Sequence, residues 1–296
     1  MLLALAAPLP AVDILYVSMG DDTIVSFDTT GNVGSTIAAS MATFASTNLN
    51  NPQGLAFDSS GNLYAANLGN NTISKFSASG AIDSSISSNL NLPIGLAFDS
   101  SDNLYAANLS NNTISKFDAS GAYVGNISSN LNAPRGLAFD SSGNLYAANN
   151  SGSTISKFNA SGAYVSNISS NLNGPTGLAF DSTGNLYARN HLNSTISKFN
   201  ASGGFLSSIG SSLNLNGPIG LAFDSSGNLY AANISNSTIS KFDSSGTFLT
   251  SWSTGTNPRY LAFKPVTVPE PSTYALATIA TGVMAYLARR RKARTA

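Results

Sequence analysis

An all-β, six-bladed propeller of four-stranded blades is the fold this sequence predicts, and three observations predict it. A unit of about 40 residues recurs at a nearly fixed period. Each full unit holds four short strand-like runs separated by turn residues. The two ends of the repeated region are incomplete in complementary ways, so that together they make one more unit. A helical repeat is excluded, because the runs are too short and Gly or Pro punctuates every one.

In chain order, residues 1–11 (MLLALAAPLPA) read as a partial signal-peptide-like segment with a cut after Ala11. The apolar half of such a signal is there, without the positive region that ordinarily precedes it. Pro8 and Pro10 argue against the alternative, a buried N-terminal strand. Residues 12–264 are expected to form the propeller. Ile14–Ser18 and Thr23–Phe27 match second and third strands that lack a first.

The repeated landmark Pro-x-Gly-Leu-Ala-Phe-Asp then begins at Pro52, Pro93, Pro134, Pro175 and Pro218, with a diverged copy from Pro258 to Lys264; the spacings are 41, 41, 41, 43 and 40. Asn-Leu-Tyr-Ala-Ala-Asn starts at Asn62, Asn103, Asn144 and Asn228, and its variant at Asn185 reads Asn-Leu-Tyr-Ala-Arg-Asn. Thr-Ile-Ser-Lys-Phe follows at Thr72, Thr113, Thr154, Thr195 and Thr238, and a weaker run such as Ala122–Ile127 is the fourth strand. The copy at Tyr260–Phe263 supplies the first strand missing at the N-terminus, closing the ring and removing a long open sheet edge.

Residues 265–273 are a linker holding Val268, Pro269, Glu270, Pro271, Ser272 and Thr273. An uncharged apolar run, 274–288, follows, and then a basic tail, 289–296, opening with Arg289, Arg290, Arg291 and Lys292. As a helix that run spans only about 22 Å against a hydrocarbon core of about 30 Å. A crossing therefore draws on Ser272 and Thr273 at one end and on outward-reaching Arg side chains at the other. The positive-inside rule keeps the cations in the cytoplasm and everything before Pro269 outside.

Two resemblances attach to these residues. The ordered set Pro-x-Gly-Leu-Ala-Phe-Asp, Gly-Asn-Leu-Tyr-Ala-Ala-Asn and Asn-x-Thr-Ile-Ser-Lys-Phe resembles the NHL repeat over about residues 13–264. It departs from that family at Asn67, Asn108 and Asn149, where Asp is usual, and at Thr72, Thr113 and Thr154, where Arg is usual, so a charged network between blades is not carried over. The tail resembles the PEP-CTERM sorting signal of bacteria, which implies export and processing by an exosortase-type membrane enzyme. The destination implied is the cell surface or an extracellular matrix, after a membrane-anchored precursor.

Composition agrees with export: the chain has no cysteine, and without the tail nine basic residues face fourteen acidic ones, a net of −5. That balance argues against nucleic acid as a partner. Residues present once per blade read as scaffold: Asp58, Asp99, Asp140, Asp181 and Asp224 as turn formers, and the strand lysines likewise. One Asp per turn falls short of a calcium site.

Residues that break the repeat are the candidates for function. The variable position of Pro-x-Gly holds Gln53, Ile94, Arg135, Thr176, Ile219 and Arg259, and the segment after the second strand carries Arg189 and His191. Propeller geometry, as the resemblance implies it, sends both to one face of the ring. Arg135, Arg189, His191 and Arg259 are thus the candidate binding face, suited to carboxylate, phosphate or sulfate. With one histidine, and with its one glutamate in the tail, the chain offers no catalytic residues, metal site or cofactor by this reading. The expectation is a non-enzymatic binding or scaffolding module for a polysaccharide or protein ligand. The alternative is a lyase or lactonase with a site at the channel mouth around His191 and Arg189.

Overall fold

The computed structural model describes residues 13–29, 41–210 and 214–264. They form a compact unit over Val12–Pro265. Six four-stranded antiparallel sheets follow one another. Blade I is assembled from both ends of the unit: β1 (Ile14–Met19), β2 (Ile24–Asp28), β3 (Ala42–Ala45) and the last strand, β24 (Pro258–Phe263). β24 pairs with β1 in the register Leu15↔Phe263, Tyr16↔Ala262 and Val17↔Leu261, so the chain ends close the ring as the sequence predicts.

The other blades run in sequence from the inner to the outer strand. Blade II holds β4 (Pro52–Phe57), β5 (Leu63–Asn67), β6 (Thr72–Phe76) and β7 (Ile82–Ile86). Blade III holds β8 (Pro93–Phe98), β9 (Leu104–Asn108), β10 (Thr113–Phe117) and β11 (Tyr123–Ile127). Blade IV holds β12 (Pro134–Phe139), β13 (Leu145–Asn149), β14 (Thr154–Phe158) and β15 (Tyr164–Ile168). Blade V holds β16 (Pro175–Phe180), β17 (Leu186–Asn190), β18 (Thr195–Phe199) and β19 (Phe205–Ile209). Blade VI holds β20 (Pro218–Phe223), β21 (Leu229–Asn233), β22 (Thr238–Phe242) and β23 (Phe248–Ser253).

Each second strand is packed on both faces, which is why Leu-Tyr-Ala-Ala-Asn shows no apolar–polar alternation. All five of its residues are buried in β5, β9, β13, β17 and β21. Side chains of such a strand point alternately to opposite faces. Between blades III and IV, Tyr105, Ala107 and Ile114 meet Leu137, Leu145, Ala147 and Phe158. The tyrosine and second alanine thus face the next blade, while the leucine and first alanine face the previous one. Alanine keeps the layers thin, and a phenylalanine of the third strand fills each fully, with about 1.5–3 kcal/mol expected from each such burial.

Aromatic contacts close on themselves around the ring. Tyr16–Phe57, Tyr64–Phe98, Tyr105–Phe139, Tyr146–Phe180, Tyr187–Phe223 and Tyr230–Phe263 are edge-to-face pairs with centroids 4.9–5.1 Å apart. Each joins the second strand of one blade to the first strand of the next, and the sixth returns to blade I. Outer strands are exposed.

Inside the blades the recurring Asn, Thr and Ser side chains form a neutral network. In blade III the buried Asn108 donates to Thr113 Oγ1 (3.0 Å) and Ser115 Oγ (2.8 Å), and accepts from the Asn91 N–H (3.0 Å). Asn149 and Asn190 repeat this pattern in their blades. Among the described residues no helix is long and apolar enough to cross a membrane. The expected span at 274–288, the sorting motif Val268–Thr273, the cations Arg289–Lys292 and the signal-like segment 1–11 lie outside the described residues.

Candidate functional site

The mouth of the central channel is built by the six inner strands. Each begins with Pro and the variable residue, and in five of the six Gly comes next as a requirement of close approach. A Cβ placed on Gly95 would lie 2.0 Å from the Arg135 carbonyl oxygen, and one on Gly136 2.0 Å from that of Thr176. Neighbouring inner strands therefore touch backbone to backbone. Gln53, Ile94, Arg135, Thr176, Ile219 and Arg259 consequently stand at one level around the axis. The glycines and leucines next in line bound an axial cavity of about 60 Å³, with Tyr260 on its wall.

Arg189 departs from its sequence expectation. It is not on a loop: it lies within β17, paired with Ile196, and is 0% exposed. The reason is the repeat itself, since its place is filled in blades II, III, IV and VI by Ala66, Ala107, Ala148 and Ala232, all buried in layers between blades. Ser18 holds this place in blade I. It donates to the Gln53 carbonyl (2.6 Å) and accepts from the Tyr260 N–H (3.1 Å), which locates the position at the seam between adjacent inner strands.

From that seam Arg189 donates through Nη1 to Thr176 Oγ1 at 3.0 Å. Its Nε and Nη2 are buried without a partner. Burial pulls its pKa down to about 10, with Arg135 adding to the fall and Tyr260 opposing it, so the group is still a cation at neutral pH.

The remaining candidates gather around it. Arg135, Arg189 and Arg259 all act electrostatically on the Tyr260 phenol, which burial pushes up to about 12 against their pull. His191 is exposed as a residue, yet partial burial of its ring, then Arg189 and Arg135, hold its imidazole below the ordinary value and favour the neutral form. Arg259 Nη1 donates to Asn51 Oδ1, and Gln53 Nε2 donates to the same oxygen at 3.0 Å. The Nε atoms of Arg135 and Arg259 are also buried without partners. The structure thus brings Arg135, Arg189, His191 and Arg259 into one electrostatic cluster.

Tyr260 is the member that sequence reasoning does not pick out. Its signal is a substitution: it fills the place that glycine holds in the other five inner strands.

The once-per-blade charges do structural work elsewhere. Asp181 Oδ1 accepts from the N–H groups of Thr183 (3.0 Å) and Asn185 (2.9 Å), the Asx turn expected of it. Burial alone would raise its pKa; bonds from Asn185 and Thr183 outweigh this and hold it at about 2. Lys198 lies 3.5 Å from Asp181 Oδ2 and 4.9 Å from the centre of the Tyr187 ring. Blades III, IV and VI repeat this Asp–Tyr–Lys cluster. In blade II Lys75 turns to Asp83 instead, at 3.0 Å. Blade I has Lys264 in the Asp place and Ser26 in the Lys place, so both charges of the pair are replaced together. Among the described residues no group of three His, Cys, Asp or Glu side chains is placed to hold a metal ion.

Residues 49–76 match the NHL repeat, and residues 267–292 match the PEP-CTERM protein-sorting motif. That motif implies export and processing by an exosortase. Curated proteins give no match to the chain. Among solved structures, a chain of a nidogen/laminin complex is 18% identical with a TM-score of 0.76, over 86% of this chain and 99% of that one. A streptogramin B lyase is 18% identical with a TM-score of 0.61, over 71% and 72%. Virginiamycin B lyase from Staphylococcus aureus is 13% identical with a TM-score of 0.65, over 84% and 87%. Likeness at this level shows the fold alone.

Proposed function

We propose that this chain is an exported, non-enzymatic binding propeller. It is held in the membrane as a precursor through 274–288, then processed near Pro269-Glu270-Pro271 for the cell surface or an extracellular matrix. Its ligand is an anionic group carried by a polysaccharide or protein and received at the channel mouth. The observation that carries this reading is the division of charge. The five strand lysines are paired with aspartates, whereas the three arginines among the described residues converge on the mouth with buried nitrogen atoms left unpartnered. Guanidinium groups in a partly dry, cationic recess suit carboxylate, sulfate or phosphate. The Tyr and Val side chains exposed on β11 and β15 offer further contact area for a large ligand.

A binding screen of the full chain against acidic and neutral matrix polysaccharides tests the reading. Acidic polymers are expected to bind, and Arg135→Gln with Arg259→Gln should weaken them at least tenfold; equal binding by the double variant contradicts it. Sorting is tested separately: replacing Pro269 and Glu270 is expected to leave the protein anchored, and unchanged release overturns that part.

The lyase or lactonase alternative rests on the lyases among the structural neighbours and on His191 in the field of two arginines. An activity found in the purified chain and lost in His191→Ala would establish it.

A further inference from the structure

The two unpartnered atoms of Arg189 are not arbitrary. Nε–H and one Nη2–H lie side by side on one edge of the guanidinium, pointing in parallel, while Nη1 on the opposite side is held by Thr176 Oγ1. This edge is the two-pronged donor that matches a pair of oxygen atoms on one anion. The Thr176 bond fixes the plane of the group, so the fork is oriented before any ligand arrives. Thr176 occupies the variable position, where blades III and VI have Ile94 and Ile219 and blade IV has Arg135. His191, two residues on from Arg189, stands where blades II and III have Leu68 and Leu109. Arg189, which replaces a recurring alanine, and two residues at variable positions therefore fall in one blade, with Arg189 and Thr176 bonded to each other.

From this the geometry points to a specific anion seat: the Nε/Nη2 edge of Arg189, oriented by Thr176, takes the two-oxygen edge of a single oxyanion group, with Arg135 beside it. The inference rests on the reading of the mouth as a binding face and adds which atoms hold the charged group. A cation with two free donors, 0% exposed and without a carboxylate among its bonded partners, is costly to bury. An oxyanion supplies both the countercharge and the two missing acceptors. Both fork atoms are closed to bulk water, and Arg135, whose charge acts on Arg189, is itself only partly buried. A carboxylate of an acidic sugar, a free carboxylate, and sulfate or phosphate share this edge. Chloride does not.

The test is thermal unfolding of the full chain in sodium acetate, sodium glucuronate, sodium sulfate, sodium phosphate and sodium chloride at matched ionic strength. Oxyanions well above their Kd are expected to raise the midpoint by several degrees over chloride. Glucuronate raising it further than acetate assigns the seat to a sugar acid; sulfate or phosphate leading assigns it to those groups. In Arg189→Ala, and in Arg189→Lys, which keeps the charge without the fork, the difference between oxyanion and chloride should vanish. Water in place of an anion would show as no difference between oxyanions and chloride in the unmodified chain, and would overturn the inference. So would an undiminished oxyanion shift in Arg189→Lys. Acidic polymers that still bind Arg189→Lys with full strength would leave the mouth as a binding face and remove only this seat.

Discussion

Blades III and V share one scaffold and differ mainly in their outer strands and turns, with three further differences at the inner end. Leu104 and Leu186, Tyr105 and Tyr187, Asn108 and Asn190, Ile114 and Ile196, Phe117 and Phe199 are the same residues in the same registers, and all are buried. Yet where blade III has Ala107, Leu109 and Ile94, blade V has Arg189, His191 and Thr176. The shared residues explain why each blade stands and packs on the next. The differing ones add a buried cation, an exposed imidazole and a hydroxyl at one seam, and none of these is needed for the fold, since blade III stands without them. In a repeat protein the sequence thus carries its own control: what recurs holds the ring, and what departs is free to do something else.

The largest expected blow to the shared part is at the inner glycines. Gly136→Ala puts a methyl group 2.0 Å from the Thr176 carbonyl oxygen, and overpacking against backbone should cost about 3 kcal/mol in urea unfolding. A loss under about 0.5 kcal/mol, within the range of ordinary surface substitutions, would mean the inner strands are not in contact.

Next comes acid. Asp181 is held at about 2, below its ordinary 3.8, and Asp99 and Asp140 are lowered too, in each case because hydrogen bonds outweigh burial. A lowered carboxyl favours the folded state above its unfolded value and loses that contribution as pH falls through the folded one. Stability should therefore hold down to about pH 4 and decline between pH 4 and 2, and Asp181→Asn should flatten the decline; an unchanged pH profile in that variant would contradict the assignment.

The smallest effect is expected from the lysines. Lys157→Met removes a 3.5 Å ion pair to Asp140 and a 5.0 Å contact over Tyr146, a surface cluster whose loss should cost no more than about 1 kcal/mol. A cost several times larger would promote it from trim to framework.

The fold was legible because period, strand length and turn chemistry point the same way. Closure was legible from two partial units that complete each other. Strand limits were less so: the inner strands begin at the proline, two residues before Gly-Leu-Ala-Phe, because a register shift between Pro134 and Leu137 lets both extra residues join the sheet. The candidate site was picked out as residues that differ between blades, since Arg135, Arg189, His191 and Arg259 do not recur from one blade to the next. What the residues alone hid was depth. Arg189 reads as a rim charge, but its place in β17 is an alanine seam closed by the next blade, and only the packing of two blades makes that burial visible. Tyr260 stayed hidden for the same reason, because the meaning of the glycine it replaces comes from a neighbour distant in sequence.

Urea unfolding of two adjacent substitutions, compared in chloride buffer free of oxyanions, tests most directly whether recurrence and departure separate framework from function. Asn190→Ala removes a recurring residue and strands Thr195, Ser197 and the Asn173 N–H, so it should lose about 1–3 kcal/mol. Arg189→Ala restores the residue of the four matching blades and removes an unpaired buried charge, so its stability should match or exceed that of the unmodified chain. Arg189→Ala losing as much as Asn190→Ala would show that the arginine holds the ring together, and the distinction drawn between the two blades would fall.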